Sequence, residues 1–293
     1  MTESFRPPLA FIGLGALGAP MAANLLAAGF PLSVHNRTRS REASLLAAGA
    51  AAAPTPAAAA AAADWLCLCL TDGAAAEAVL FGAAQPAALG LRPGATVIDF
   101  STIDPAVSRS LAERLGRQGV AYLDAPVTGG TEGAKAGSLS VLVGGTMADL
   151  ERARPLLEVV GSRITHLGPV GCGQQAKAVN QVLVAGSYAA VAEAMALGQR
   201  LGLPMAAVCQ ALASGAAGSW ALENRAGGML EGSFPLGFKL ALHRKDLAIA
   251  LAAAAATGLE LPIGERVAAI EDALIEAGHG DEDVSALIRW FKG

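Results

Sequence analysis

Leu9-Ala10-Phe11-Ile12-Gly13-Leu14-Gly15-Ala16-Leu17-Gly18, running on into Ala19-Pro20-Met21-Ala22-Ala23-Asn24-Leu25, decides the fold. Four apolar residues read as a buried strand, the spacing Gly-x-Gly-x-x-Gly reads as a turn, and residues 19–28 read as the helix which that turn opens. In such a turn Gly13 makes the tight bend, Gly15 lets backbone approach a diphosphate, and Gly18 lets the helix pack on the strand. Free N–H groups and the dipole at the helix start favour an anion. The stretch therefore predicts a dinucleotide site contacted by Gly13, Leu14, Gly15, Ala16, Leu17 and Gly18. With 35 glycines in the chain the spacing alone says little. Its place between strand and helix carries the reading.

Working outward, short apolar runs at 9–12, 32–35, 65–70, 96–100, 121–124 and 139–144 alternate with helical patterns at 19–28, 39–48, 74–80, 105–118 and 147–158. Strands alternating with helices of this length predict βαβ units and a mostly parallel sheet, hence an α/β protein with an N-terminal doubly wound Rossmann domain at 1–168. The alanine-rich stretch 47–63 reads as a turn at Pro54 and Pro56 followed by a helix, since proline suits a helix start. After the glycine-rich turn 168–173 the pattern is helical throughout: 174–201, 205–213, 220–230, 239–257, 264–277 and 284–291. These predict an all-α second domain at 169–293, joined to the first by a long interdomain helix. In that helix Val179, Val182, Leu183, Ala190, Val191, Ala194 and Leu197 recur near the helical period and are expected to be buried.

The chain has 293 residues and 21 basic against 25 acidic side chains, a formal net charge of -4, with no basic run to meet nucleic acid. No stretch of about 18 apolar residues free of polar groups appears, so no membrane partner is expected. Residues 1–8 show no basic region followed by an apolar stretch, and a cytoplasmic location is the expectation. Cys67 and Cys69 alternate within one strand and read as core thiols; Cys172, Cys209 and four scattered histidines offer no metal-ligand spacing.

Three further stretches carry chemistry. Asn36, Arg37 and Thr38 end the second strand, where an acid would hold the ribose hydroxyls of NAD; Arg37 instead suits a 2'-phosphate, favouring NADP(H) over NAD(H). Thr128-Gly129-Gly130 follows the 121–124 strand and reads either as a concave anion site or as a plain strand-to-loop turn. Lys177, Asn180, Gln181 and Val184 share one face of the long helix, and burying a lysine and two amides there is costly without partners. A lysine beside a carbonyl can protonate the alkoxide that forms as hydride arrives. The polar run His243-Arg244-Lys245-Asp246, flanked by apolar residues, reads as a cleft wall or an exposed ion-pair cluster.

Taken together, Gly13 to Leu25, Asp99-Phe100-Ser101-Thr102, Asp124 to Gly130 with Gly137, Lys177-Ala178-Val179-Asn180-Gln181 and Lys245-Asp246-Leu247 give the chain, over essentially its whole length, an order and spacing that resemble the β-hydroxyacid dehydrogenase family. That resemblance implies NAD(P)-dependent interconversion of a small hydroxycarboxylate and its semialdehyde or oxo partner, an active site between the domains, and a homodimer or homotetramer built on the helical domain. It implies that Lys177 is catalytic, that Asn180 orients substrate, that Ser101 and Thr128-Gly129-Gly130 anchor it, and that Lys245 lines the cleft with Asp246 beside it. Leu70 and Thr102 complete the implied cofactor contacts. Leu17 and Thr128 stand where the family commonly has Met and Ser. Gln181, in place of a second Asn, and the stretch 237–247 are similar to the 2-hydroxy-3-oxopropionate (tartronate semialdehyde) reductase branch, whereas 35–38 looks like the NADPH-using succinic or glyoxylate semialdehyde reductases. 3-Hydroxyisobutyrate dehydrogenase is a further alternative within the family. Imine reductases share the architecture but usually replace the lysine, and a non-catalytic dinucleotide-binding protein would usually lack it or add a domain.

Overall fold

A computed structural model describes residues 6–82 and 84–292; residues 1–5, 83 and 293, which the expected domain spans and the reading of the N-terminus include, lie outside the described residues. The chain divides into two compact units, Met1–Lys177 and Ala178–Gly293. The division falls inside a helix, whereas the boundary expected after residue 168 lies at the end of a strand.

In the first unit the described residues form one nine-stranded sheet. Its strands are β1 (Leu9–Ile12), β2 (Leu32–His35), β3 (Ala51–Ala52), β4 (Trp65–Leu68), β5 (Thr96–Asp99), β6 (Ala121–Asp124), β7 (Val127–Thr128), β8 (Leu139–Gly144) and β9 (Gly161–Gly168). The order is β3-β2-β1-β4-β5-β6-β8-β7, with β9 on β8. Strands β3 to β6 along that order are parallel, β8 runs antiparallel to β6 and β7, and β9 is parallel to β8. The chain winds one way from β1 to β3 and the other way from β4 to β6, so the topology switches between β1 and β4, where open α/β sheets bind ligands. Ile12, His35, Leu68, Asp99 and Asp124 stand in one register row. The residues that follow them therefore line up along the carboxyl edge.

Around the sheet run α1 (Gly18–Ala27), α2 (Ala43–Ala47), α3 (Pro56–Ala60), α4 (Gly73–Glu77), α5 (Pro105–Gly116), α6 (Gly130–Ala136) and α7 (Met147–Val160). Strand β1 is buried on both sides: Leu9 and Phe11 pack with Met21 and Leu25 of α1, while Ala10 and Ile12 pack with Ala59, Ala60, Leu66 and Leu68. That two-sided burial explains the unbroken apolar runs. Helix α3 starts as expected at its proline, with Thr55 accepting from Ala58 N. Four features depart from the expectation. Residues 51–52 pair as β3 ahead of the prolines, the segment after α4 continues as a π-turn over Ala78–Gly82, β7 and α6 replace a glycine turn, and β9 occupies residues to which the sequence pattern assigns no element. Strand β9 shows no apolar run because only its alternate residues are partly covered.

Helix α8 (Cys172–Arg200) runs from the first unit into the second. By length and composition it could cross a membrane, and 44% of its most apolar window is buried. The second unit continues with α9 (Met205–Ala213), α10 (Trp220–Glu231), α11 (Leu240–Ala255), α12 (Pro262–Glu276) and α13 (Ile288–Lys292). Its core sets Ala185, Tyr188, Ala192 and Met195 of α8 against Leu222 and Met229 of α10, Leu240 and Leu247 of α11, and Ile270 and Leu274 of α12. Here the expected face of α8 is corrected. Val179, Leu183 and Leu197 are 63%, 69% and 59% exposed, and Ala190 and Ala194 are exposed too; only Val191 of the expected set is buried. The buried row instead repeats every seven residues, Ala178-Ala185-Ala192 beside Gln181-Tyr188-Met195, because alanine lets neighbouring helices approach closely. Where most of a helix is apolar, periodicity does not say which face turns inward.

Candidate active site

The glycine loop sits at the carboxyl end of β1, at the switch point. Gly13 adopts φ 101°, and a side chain there would strike the Cys69 carbonyl; one at Gly18 would strike the Gly13 carbonyl. At Gly15 an added Cβ would meet nothing within 4 Å. Two glycines are thus consumed by the loop's own packing, and the middle one faces open space. Helix α1 begins with no side-chain cap and no acid in its first turn, which leaves its N–H groups to an anion. These residues fit a dinucleotide diphosphate.

Asn36, at the end of β2, is a strut for this loop. Its Oδ1 accepts from Leu14 N at 2.9 Å, its Nδ2 donates to Thr38 O at 2.8 Å, and its backbone N–H donates to Glu42 Oε1 at 2.8 Å. Glu42 is itself buried and paired with Arg39 at 3.0 Å. Arg37 and Thr38 are exposed. Under the loop Cys67 is buried and Cys69 partly so. Burial pushes the Cys69 thiol up to about 12, and Cys67 higher still, so both pack as neutral thiols.

Past β4 and β5, Leu70 N donates to Ser101 Oγ at 2.8 Å, so the Ser101 hydroxyl joins the two strand ends. Thr102 follows, partly exposed. Beneath them Asp99 accepts from Ser101 N and from Tyr122 Oη, each at 2.9 Å. Burial is the main cause lifting Asp99 to about 6; bonds from Ser101 and Tyr122 lower it, and nearby Asp124 raises it. Ionising Asp99 therefore works against the fold: stability is full below the ordinary carboxylate range and falls by about 3 kcal/mol as pH rises through 6. In urea titrations Asp99→Asn is expected to gain on the parent protein by about that amount between pH 4 and pH 7. A difference that stays flat with pH would mean Asp99 ionises without penalty.

Asp124, at the end of β6, is fully buried. Its two oxygens accept from Gly171 N at 2.8 Å and Gln174 N at 2.9 Å, seating the start of α8. Burial raises its pKa and these N–H bonds oppose the rise. Thr128 pairs with Ser140 across β7 and β8, and Gly129 and Gly130 take φ 134° and 63° to turn directly into α6. The stretch is a strand-to-helix junction rather than an open glycine turn.

Lys177 is buried and Asn180, one turn further along α8, is half-buried. In the second unit Asn180 Nδ2 donates to Gln181 Oε1 at 2.7 Å, and Gln181 Nε2 donates to Asp246 Oδ2 at 2.9 Å. Lys245 pairs with the other oxygen of Asp246 at 2.7 Å. This relay occupies the Asn180 amide nitrogen and presents its oxygen as the acceptor. The polar run on α11 splits three ways: His243 turns inward to Glu271 of α12, Arg244 outward to Asp272, and Lys245 with Asp246 to the Gln181 relay. Neither the Gln174–Ser101 nor the Gln181–Asp246 contact is legible in the sequence, since each spans tens of residues.

A switch-point glycine loop open at Gly15, with a buried lysine in the same unit, fits a dinucleotide-dependent oxidoreductase. Residues 8–168 match the family model of the NAD binding domain of 6-phosphogluconate dehydrogenase, and residues 171–291 match that of the NAD-binding domain of NADP-dependent 3-hydroxyisobutyrate dehydrogenase. The chain is 39% identical over 290 residues to the NAD-dependent L-serine dehydrogenase of Pseudomonas aeruginosa, covering 97% of each chain. It is 39% identical over 282 residues to the 2-hydroxy-3-oxopropionate reductase of Escherichia coli, covering 96% of each. The structure of Mycobacterium tuberculosis 3-hydroxyisobutyrate dehydrogenase with L-serine superposes with a TM-score of 0.87 at 34% identity, over 99% of this chain and 100% of that one. The chain belongs to the β-hydroxyacid dehydrogenase family and is an enzyme that uses a nicotinamide dinucleotide.

Proposed function

We propose that this enzyme reduces the semialdehyde of a small carboxylate, with 2-hydroxy-3-oxopropionate as the best-supported substrate and NADP(H) as the preferred cofactor. The buried Lys177 on α8, in one unit with the glycine loop and the Ser101 loop, carries the reading. Identity to the E. coli reductase and Gln181 after Asn180 support the choice of substrate. Glyoxylate, succinic semialdehyde and the 3-hydroxyisobutyrate pair are the alternatives within the same chemistry.

When bound, the reduced nicotinamide supplies the hydride to the carbonyl carbon. Ser101 and the Thr128 to Gly130 junction hold the substrate carboxylate through hydroxyl and backbone N–H donors. Lys177 Nζ gives its proton to the carbonyl oxygen, leaving a neutral amine and an alcohol. Asn180 Oδ1, turned outward by Gln181, orients the lysine or the new hydroxyl. Leu14, Gly15, Ala16 and Leu17 would receive the diphosphate, Arg37 and Thr38 the adenosine end, and Leu70 and Thr102 would line the rest of the dinucleotide. The exposed Val179, Leu183 and Leu197 support a homodimer or homotetramer, and a cytoplasmic location accompanies this reading.

The test is NADPH and NADH oxidation, side by side, with 2-hydroxy-3-oxopropionate, succinic semialdehyde, glyoxylate and methylmalonate semialdehyde. Preference for NADPH is expected, falling by about 10- to 10²-fold in Arg37→Ala, the worth of a charge-assisted phosphate contact. An unchanged preference removes Arg37 from the site. A second reading, oxidation of the β-hydroxyl of L-serine, is favoured by the identity to the Pseudomonas enzyme. Reduction of NAD with L-serine, and no turnover of any aldehyde, would select it.

A further inference from the structure

One side chain ties together the parts of the first unit that carry the chemistry. Gln174, in the first turn of α8, is 1% exposed. Both of its side-chain bonds go to the loop after β5: Oε1 accepts from Ile103 N at 3.1 Å, and Nε2 donates to Ser101 O at 2.8 Å. Its backbone N–H meanwhile donates to Asp124. A side chain at neighbouring Gly173 would strike the Leu142 carbonyl and Asp124, so the helix start is pressed directly onto β6 and β8. Asp124 thus seats the helix, and Gln174 fastens the Ser101–Thr102–Ile103 loop to it. Lys177 follows three residues later, on the same rigid turn.

We propose that Gln174 is a positioning residue for the reduction, fixing the Ser101–Thr102 loop relative to Lys177; the inference rests on the roles given to those residues above. The clamp needs an acceptor for an N–H and a donor for a C=O, at one length and in one protonation state. A primary amide supplies both. Asparagine is a methylene short, and methionine keeps the volume with neither bond. An ionised glutamate would still accept from Ile103 but would set a buried charge against the Ser101 carbonyl. A protonated glutamate restores the whole pattern, since its O–H can donate where Nε2 did.

That difference supplies the test, made on the full-length enzyme with 2-hydroxy-3-oxopropionate and with L-serine as probes. Gln174→Met is expected to lower kcat by about 10- to 10²-fold, as a reacting group displaced by about 1 Å does, while dinucleotide affinity falls much less, since Thr102 alone of this loop is assigned a dinucleotide contact. Gln174→Glu is expected to approach the parent rate near pH 5.5 and to fall about tenfold or more behind it by pH 8. The titratable and charged groups at this helix start and beneath the loop it holds are Asp99 on β5, Tyr122 and Asp124 on β6, Arg109 on α5, and Cys172 and Lys177 on α8. Parent and variant share them, so the ratio of rates reports position 174. Hydrogen exchange at the Ile103 amide, which needs no turnover, is expected to accelerate in Gln174→Met and, above neutral pH, in Gln174→Glu. The proposal is overturned if exchange accelerates with kcat unchanged, if dinucleotide affinity falls in step with kcat, or if Gln174→Glu tracks the parent at every pH. A parent enzyme inactive on both probes would overturn the proposed function instead, and the exchange measurement would still decide whether Gln174 holds the loop.

Discussion

Lys177→Ala turns over substrate about 10²- to 10⁴-fold more slowly than the parent enzyme and still binds the reduced dinucleotide within about twofold. This result is expected because the side chain is buried beside no other lysine in its helix and sits away from the glycine loop in sequence, on the turn that Asp124 and Gln174 hold. Lys177→Arg separates two roles. Arginine keeps the charge but does not release a proton in any accessible pH range, so a variant as slow as alanine assigns proton donation to Lys177, whereas substantial recovery assigns it electrostatic stabilisation. Single-turnover oxidation of bound reduced dinucleotide reads the chemical step, and fluorescence titration reads binding. Unchanged turnover in Lys177→Ala would remove the lysine from the mechanism.

The second large effect is a contrast within one loop. Gly15→Ala is expected to fold like the parent, since its methyl group enters open space, yet to bind dinucleotide about 10- to 10²-fold more weakly because that space is where backbone meets the diphosphate. Gly18→Ala is expected to lose stability first, its methyl group colliding with the Gly13 carbonyl and forcing α1 off β1. Thermal melts with and without NADPH distinguish them: a parent-like melt with a lost ligand shift for Gly15→Ala, and a lowered melt without ligand for Gly18→Ala. A parent-like affinity in Gly15→Ala would place the diphosphate elsewhere.

How much was legible in the sequence depends on how local each signal is. The β1 strand, the glycine spacing and α1 declare themselves within about twenty residues, and the run of buried strands follows from two-sided burial. Strands β3 and β7 are two residues long and have no period to detect, and β9 carries Arg163, Thr165 and His166 because it is only partly covered. Helix α8 was placed correctly but turned the wrong way, since alanine scores as weakly apolar while making the closest packing. Lys177 and Asn180 stand out in the sequence because their spacing puts them on one face of a mostly apolar helix. The groups that hold them do not: Asp124 meets Gln174 across 50 residues, Gln174 meets Ser101 across 73, and Gln181 meets Asp246 across 65. Only the folded chain brings such pairs together.

The double duty of Asn36 bears on how this enzyme's lineage can change. Side chains at the end of β2 ordinarily decide which dinucleotide is accepted, but here the first of them is committed to the Leu14 amide and the Thr38 carbonyl. Substituting it alters the architecture of the loop before it alters selectivity. Arg37 and Thr38 carry no such commitment through their side chains, which face solvent. On the roles proposed for them, Arg37 and Thr38 would leave cofactor preference open to change by surface mutation, while Asn36 is constrained by the loop it supports.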